Sequence, residues 1–275
     1  MARSMLVTIN TKLPLPLITS ETESPIIVVC SHERSGTHHM MNTLSLNSDY
    51  CADPFINFDL NPISAYVNFF HPQGVEGFFQ KLIGIEHKSS RLFVRSIVKS
   101  HHDADCFRLL MGSKNVYFVY MLRDPLSVME SFWKFIHRWE WSEGPKTSSL
   151  AEFVLAPPRG QLMRYQSDTY PSMIDRWCAH ADKWLLAAEE FNNVIPVEQE
   201  ALSLSPEPTI SKIARITGIS VNEEIVEASK ESYITGADLH TEVHDREVAR
   251  EIIFNHLRKT NCLSETLKNR FSNLY

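Results

Sequence analysis

The chain has 275 residues, of which 43% are hydrophobic and 22% are charged, and its formal net charge is -6. These values are typical of a globular protein with one large α/β domain or two small ones. The negative charge argues against bulk electrostatic binding to nucleic acid, because such binding depends on neutralising phosphates. It leaves room for a local basic pocket that binds one anionic ligand.

The cysteines and the apolar runs bear on the compartment of the protein. Five cysteines are scattered without a C-x-x-C pair, which favours reduced thiols over a disulfide framework. No apolar run approaches the roughly 18 residues that span a bilayer, and the proline-broken segment 13–18 is a poor signal peptide. We therefore expect a soluble, cytoplasmic protein without a membrane anchor.

The predicted elements alternate between strands and helices after an N-terminal arm over residues 1–24. Buried strands are predicted where apolar, β-branched or aromatic residues run together, at 26–30, 92–98, 116–122 and 193–197. Helices are predicted from Met40, from Pro125 to at least Trp133, and over 172–191, 210–217 and 246–259, with a surface loop at 142–160. This alternation predicts one α/β domain over residues 25–275, with a central, mostly parallel sheet flanked by helices.

Polar residues follow three of the predicted strands. Arg34 lies just beyond the first, Lys99 and His101 follow the second, and Arg123 follows the third. Ligands of open α/β sheets bind outside the carboxyl ends of the strands. We therefore expect these side chains to converge on one site.

The segment Ser31 to His38 is a candidate anion-binding loop. Gly36 lets the backbone approach a ligand closely, and the helix that follows offers unpaired N–H groups to an anion. The Walker A pattern G-x-x-x-x-G-K-[ST] is absent, so a Mg-nucleotide loop of that kind is not predicted. Taken alone, an ordinary strand-to-helix turn explains this segment equally well.

Two further groups have a chemical and a simpler interpretation. The fork of Arg123, with the Ser131 hydroxyl, suits a phosphate dianion, although a solvated arginine before a helix start would look the same. His101 suits proton transfer near neutral pH, and Lys99 suits charge on a leaving phosphate, although a polar loop is the commoner setting for such residues.

Together these segments resemble the sulfotransferases that use 3′-phosphoadenosine 5′-phosphosulfate (PAPS). Residues 34–38 resemble the family's P-loop-like 5′-phosphosulfate loop, and Lys99-Ser100-His101 is similar to its K-T-H segment. Arg123 with Ser131 resembles the pair that binds the 3′-phosphate, and residues 211–219 resemble a later helix. The resemblance covers roughly residues 25–220.

The resemblance implies transfer of a sulfuryl group from PAPS to a hydroxyl or amine of a small-molecule acceptor, without a metal. It implies His101 as the catalytic base, with Lys99 and Arg34 stabilising charge. The residues that it implies for nucleotide binding are Arg34, Ser35, Gly36, Thr37, His38, His39, Arg123 and Ser131. A homodimer is compatible with it, although the family's dimerisation segment is not recognisable.

The chain departs from the family pattern at four places. His39 stands where an aromatic residue usually stacks on adenine, and Glu33 stands at a position that is commonly proline. Val197-Glu198-Gln199 replaces Tyr-Glu-Asp. The C-terminal R-K-G-x-x-G-x-W loop is missing, and Arg258 with Lys259 is its nearest candidate.

Other functions compete with this one. A phosphoryl-transfer kinase would need a Walker lysine and a Mg²⁺ ligand, which are not evident. A non-catalytic nucleotide-binding protein of the same fold would tolerate the altered C-terminal motif. A metal site at the adjacent histidine pairs 38–39 and 101–102 is disfavoured, because neighbouring side chains point in different directions.

The acceptor is not identified by the sequence. Residues 55–90 and 132–170 lie between the nucleotide segments and are rich in aromatics, so they are predicted to form the acceptor walls. Pockets are mostly apolar, which favours an apolar or ring-bearing acceptor, such as a secondary metabolite. Core packing is the simpler explanation for most of these aromatic residues.

Overall fold

The computed structural model describes residues 25–59, 95–138, 144–228, 242–260 and 264–271. The predicted N-terminal arm lies outside the described residues, as do residues 92–94 of the second predicted strand. All further statements concern the described part of the chain.

Strands and helices alternate along the described chain. The strands are β1 (Ile26–Ser31), β2 (Cys51–Asn57), β3 (Ser96–Ser100), β4 (Val116–Leu122) and β5 (Val194–Glu198). The helices are α1 (Thr37–Asn47), α2 (Pro125–Arg138), α3 (Leu150–Leu155), α4 (Met173–Glu190), α5 (Gln199–Leu204), α6 (Pro206–Thr217), α7 (Arg246–Lys259) and α8 (Glu265–Phe271). Short 3-10 helices span Ala104–Leu110 and Gly160–Tyr165.

The five described strands form one sheet in the order β2-β3-β1-β4-β5, and every described pairing is parallel. β1 lies in the centre and is buried along its whole length. A strand that is covered on both faces needs no polar alternation, which is why its sequence is a continuous apolar run. The predicted α/β class with a parallel central sheet is confirmed.

Side chains of β1 point alternately into two cores. Val28 and Cys30 belong to the core that α2, α4 and α7 cover, whereas Ile27 and Val29 belong to the core under α1 and α6. The first core is rich in aromatic rings, and Tyr120 stacks on Trp184 with centroids 5.3 Å apart. Because helices cover both faces of the sheet, the carboxyl ends of the strands are left open for a ligand.

The sequence did not predict β2, α3, α5, α8 or the two 3-10 helices. β2 contains Asp53 and Pro54, which are rare in strands, but among the described strands it lies at the sheet edge and pairs only with β3. An edge strand tolerates a proline, and the register shifts between Cys51 and Ile56. α3 lies within the predicted surface loop at 142–160, and it begins at a Ser149 cap whose hydroxyl accepts from the Glu152 N–H.

Candidate active site

The loop between β1 and α1 has an unusual backbone. Arg34 has a φ of 67° and Gly36 has a φ of 91°, both in the left-handed region. Only glycine takes that region without cost, so the Arg34 conformation is strained. A Cβ at Gly36 would lie 2.7 Å from the Cγ atom of Gln199, so glycine is required here for space as well.

The start of α1 has the features of an anion site. No side chain caps this helix end, and no acidic residue lies in its first turn. The buried Ser35 hydroxyl has no hydrogen-bond partner among the described residues, whereas the Thr37 hydroxyl lies 2.5 Å from that of Ser31. Helix N–H groups and an unsatisfied buried hydroxyl therefore face the same place, which fits a phosphosulfate group.

Arg34, Arg123 and Ser131 converge on this loop, as the sequence predicts. Arg34 Nε donates to Ser131 Oγ at 3.1 Å, and an Nη of Arg123 donates to the Arg34 carbonyl at 3.0 Å. Burial and the charge of Arg123 lower the pKa of Arg34 to about 10. The Arg123 Nε atom is buried without a hydrogen-bond partner in the described structure. Two neighbouring cations and an unused donor fit a second anionic group.

His101 lies beside the end of β1. Its Nδ1 atom is 3.0 Å from the Ser31 carbonyl oxygen. A carbonyl only accepts, so Nδ1 carries the proton and Nε2 keeps the lone pair. Burial and the charge of Lys99 lower the pKa of His101 to about 3. The imidazole is therefore neutral at pH 7 and can accept a proton at Nε2.

Lys99 is held by a buried carboxylate that sequence reasoning missed. Asp59 Oδ2 accepts from Lys99 Nζ at 2.8 Å, and Asp59 Oδ1 accepts from the His101 N–H at 2.9 Å. Ser100 and His102 also contact Oδ1, each at 3.3 Å. Burial alone would raise the pKa of Asp59, but Lys99 and the histidines hold it well below its usual range. One carboxylate thus fixes both the lysine and the base.

His38 and His39 occupy different environments. His38 is half-buried, its ring meets Phe55 edge-on at 5.5 Å, and burial with the charges of Lys99 and Arg34 lowers its pKa to about 4. His39 is 6% exposed. His38 therefore lies with the charged site residues, whereas His39 belongs to the interior.

In the described structure, Arg258 and Lys259 make no hydrogen bond or ion pair with the loop residues. They end α7, and Arg258 lies over the Phe254 ring at 5.1 Å. At the other end of α7, Arg246 Nε donates to Glu130 of α2 at 2.8 Å. The assignment of nucleotide binding to Arg258 and Lys259 therefore stays a prediction.

Aromatic residues of the predicted acceptor walls divide between core and site. Phe58, Phe132 and Trp133 are core residues, so packing explains them. Phe135 is partly buried and lies 4.7 Å from the Arg34 guanidinium. Residues 60–90 and 139–143 of these walls lie outside the described residues.

Three histidines whose pKa is lowered in the fold make stability depend on pH. Burial lowers the pKa of His32, His101 and His180, and nearby cations lower it further. The unfolded chain therefore binds more protons below pH 6.5, and stability falls with falling pH by up to about 1.4 kcal/mol per unit for each histidine. We expect the urea midpoint to drop steadily from pH 7 to 5. An unchanged midpoint would contradict this account.

A sulfotransferase domain model matches residues 24–271. The chain therefore belongs to the sulfotransferase domain family, as its motifs predict. It is a sulfotransferase that uses PAPS as its sulfuryl donor. This match supports sulfuryl transfer over the kinase alternative. A search of curated proteins finds no match.

Several solved structures are similar to this chain, and the first of those described next supports the fold. A mouse sulfotransferase, SULT7A1, crystallised with 3′,5′-adenosine bisphosphate (PAP), is 14% identical with a TM-score of 0.52, covering 91% of this chain and 89% of its own. Retinol dehydratase with retinol and PAP is 15% identical with a TM-score of 0.43, covering 87% and 68%. The sulfotransferase domain of a Synechococcus olefin synthase is 12% identical with a TM-score of 0.40, covering 92% and 97%.

No group of three His, Cys, Asp or Glu side chains in the described ranges could hold a metal ion. None of the helices that the structure describes combines the length and the hydropathy of a membrane span.

Proposed function

We propose that the site at the carboxyl ends of β1, β3 and β4 transfers the sulfuryl group to a hydroxyl or amine of a small-molecule acceptor, with His101 as the base. PAPS supplies an activated sulfuryl group, and PAP is its leaving group. One observation carries the proposal: Arg34, Arg123, Ser131 and His101 meet at the loop, where the buried Ser35 hydroxyl has no partner in the described structure.

The loop residues bind the 5′ end of the nucleotide. The first N–H groups of α1 and the hydroxyls of Ser35 and Thr37 donate to phosphosulfate oxygens. Gly36 permits the backbone to approach them, and His38 lies beside them. Helix N–H groups and fixed hydroxyls act without rearrangement, so they stabilise charge at little cost in reorganisation.

Arg123 and Ser131 bind the 3′-phosphate. The unused Nε donor of Arg123 adds a hydrogen bond to such a group, and Ser131 Oγ lies 3.1 Å from the Arg34 guanidinium, on the same side of the loop. A guanidinium matches phosphate with parallel donors. We do not assign the 3′-phosphate to Arg258 or Lys259, because no hydrogen bond or ion pair in the described structure joins them to the loop.

His101 and Lys99 carry the transfer. His101 Nε2 accepts the proton of the acceptor hydroxyl or amine while its heteroatom attacks sulfur. Arg34 and Lys99 stabilise the negative charge that gathers on the leaving 5′-phosphate. Asp59 holds the Lys99 side chain and the His101 main chain in place by hydrogen bonds.

Replacing Arg123 with lysine tests the nucleotide assignment. The lysine keeps the positive charge but cannot donate two parallel hydrogen bonds as the guanidinium does. We therefore expect PAP affinity to fall about 10- to 100-fold. Affinity for adenosine 5′-monophosphate, which lacks the 3′-phosphate, should change much less. Titration calorimetry measures both ligands, and Arg159→Lys on the exposed surface is the matched control.

The wild-type protein supplies the companion measurement. PAP should raise its thermal midpoint, and Mg-ATP should not. Equal losses of affinity for both nucleotides in Arg123→Lys would refute the 3′-phosphate assignment. A wild-type protein that binds no PAP would refute the site as a whole.

We also propose that the protein is cytoplasmic and that its acceptor is a small metabolite. The four cysteines in the described ranges are free thiols, and three of them are buried. Reduced thiols are usual in the cytoplasm. A homodimer is compatible with this site, and sedimentation of the purified protein tests it.

A further inference from the structure

Glu33 places a carboxylate inside the loop that binds an anion. It directly precedes Arg34 in that loop. An unpaired carboxylate here would repel a phosphosulfate group. The chain must therefore neutralise Glu33 or lose nucleotide affinity.

Arg176 of α4 neutralises Glu33 in a buried, forked ion pair. Its two Nη atoms donate to the two carboxylate oxygens at 2.9 and 2.8 Å. The side chains are only 1% and 6% exposed. Two parallel charge-assisted bonds fix the orientation of both groups, whereas a single contact would leave rotation free.

His32 extends this pair along the loop. Arg176 donates to His32 Nε2 at 2.7 Å and to Gln166 Oε1 at 2.9 Å. A guanidinium only donates, so His32 carries its proton on Nδ1, which donates to the Glu33 carbonyl at 3.0 Å. One arginine thereby fixes two consecutive loop residues.

The fixed residues come directly before the strained one. Arg34 has a φ of 67°, and such a conformation persists only where neighbours enforce it. Arg123 holds the Arg34 carbonyl from one side. Arg176 holds the chain that enters Arg34 from the other side.

The protonation states agree with this geometry. Burial and the charge of Arg176 hold the pKa of His32 well below its usual range. Burial alone would raise the pKa of Glu33, but the charge and the hydrogen bonds of Arg176 lower it on balance. Near neutral pH the loop thus holds a neutral imidazole and an ionised carboxylate.

We propose that Arg176 is a positioning residue for the nucleotide, which acts through Glu33 and His32 to hold the phosphosulfate loop in its binding conformation. It touches no part of the substrate. The inference rests on the proposed function of the loop. It makes the buried Glu33–Arg176 pair the reason why the loop tolerates a carboxylate.

Glu33→Gln gives a test in which two explanations predict opposite signs. If Glu33 acted only as a local negative charge, its removal would tighten PAP binding. If the pair positions the loop, the loss of the fork should weaken PAP binding about 10-fold or more. Titration calorimetry with PAP at low temperature, on protein with native circular dichroism, measures the sign.

Arg176→Lys and a control on the same helix complete the test. Arg176→Lys keeps the charge without the fork, and we expect the same loss of PAP affinity. Lys183→Met removes an ion-paired cation two turns away, which contacts Asp103 and Asp168 instead of the loop. It should lower the thermal midpoint and leave the PAP dissociation constant within about 3-fold.

The outcomes separate the two proposals. PAP binding that is unchanged or tighter in Glu33→Gln would overturn the positioning role, even where the wild type binds PAP. If Arg176→Lys does not fold, the sign of the Glu33→Gln effect decides alone. A wild type without PAP affinity would instead refute the proposed function of the loop.

Discussion

Replacing His101 with asparagine should lower kcat by about 10² to 10⁴-fold, the usual contribution of a general base. The asparagine amide can still donate to the Ser31 carbonyl, as Nδ1 does now. The Nε2 lone pair is lost. We therefore expect the variant to lose sulfuryl transfer while the loop keeps its conformation and its affinity for PAP.

The measurement follows PAP release from PAPS with an acceptor chosen from a panel of alcohols, phenols and amines. PAP affinity of His101→Asn should stay within about 5-fold of wild type, which corresponds to less than about 1 kcal/mol. His244→Asn, whose parent side chain is 81% exposed, is the matched control. Wild-type turnover by His101→Asn would remove His101 from the base assignment.

Much of the sheet and of the arrangement of residues around the site was predictable from the sequence. Buried parallel strands are continuous runs of apolar residues without polar alternation, so β1 and β4 are predicted from their composition alone. Ligands bind at the carboxyl ends of the strands in such sheets. This rule predicts from the sequence alone that Arg34, Lys99, His101 and Arg123 lie close together. Local pattern and topology agree at these positions.

The supporting residues were not predictable in the same way. Asp59 is 40 residues from Lys99, and Arg176 is 143 residues from Glu33. Neither has a motif, because a buried ion pair is specified by two distant positions and not by a local spacing. The only local signal of these ion pairs was Glu33 itself, because a carboxylate in an anion-binding loop needs a neighbouring cation to neutralise it.

β2 and the far end of α7 show two other limits. β2 contains residues that are poor in strands, and only its edge position makes them acceptable. Arg258 and Lys259 are the nearest match to part of a family motif, but they end a helix and make no hydrogen bond or ion pair with the loop in the described structure. A sequence motif does not show which tertiary contacts a helix end makes.

Asp59→Asn should produce the largest loss of stability among these variants, about 3 to 5 kcal/mol in the free energy of unfolding. The carboxylate is 1% exposed, and it accepts from Lys99, Ser100 and the His101 N–H. Asparagine offers one acceptor and two donors, so it leaves the buried ammonium of Lys99 uncompensated. Urea unfolding measures the change.

Glu190→Gln is the control for a broken ion pair in water. Glu190 pairs with Arg108, but both side chains are more than half exposed, so its loss should cost no more than about 1 kcal/mol. A loss in Asp59→Asn as small as that of Glu190→Gln would contradict a buried, tightly held carboxylate.

The double variant Asp59→Asn/Lys99→Met separates folding from catalysis. Removing the uncompensated ammonium should recover much of the lost stability, because an apolar side chain of similar volume takes its place. Transfer should stay low, since the double variant has no cation at position 99 to stabilise the leaving phosphate. Recovery of both stability and turnover would show that Lys99 serves only to compensate Asp59, whereas recovery of stability alone would show that the reaction needs either Lys99 or the contact of Asp59 with the His101 N–H.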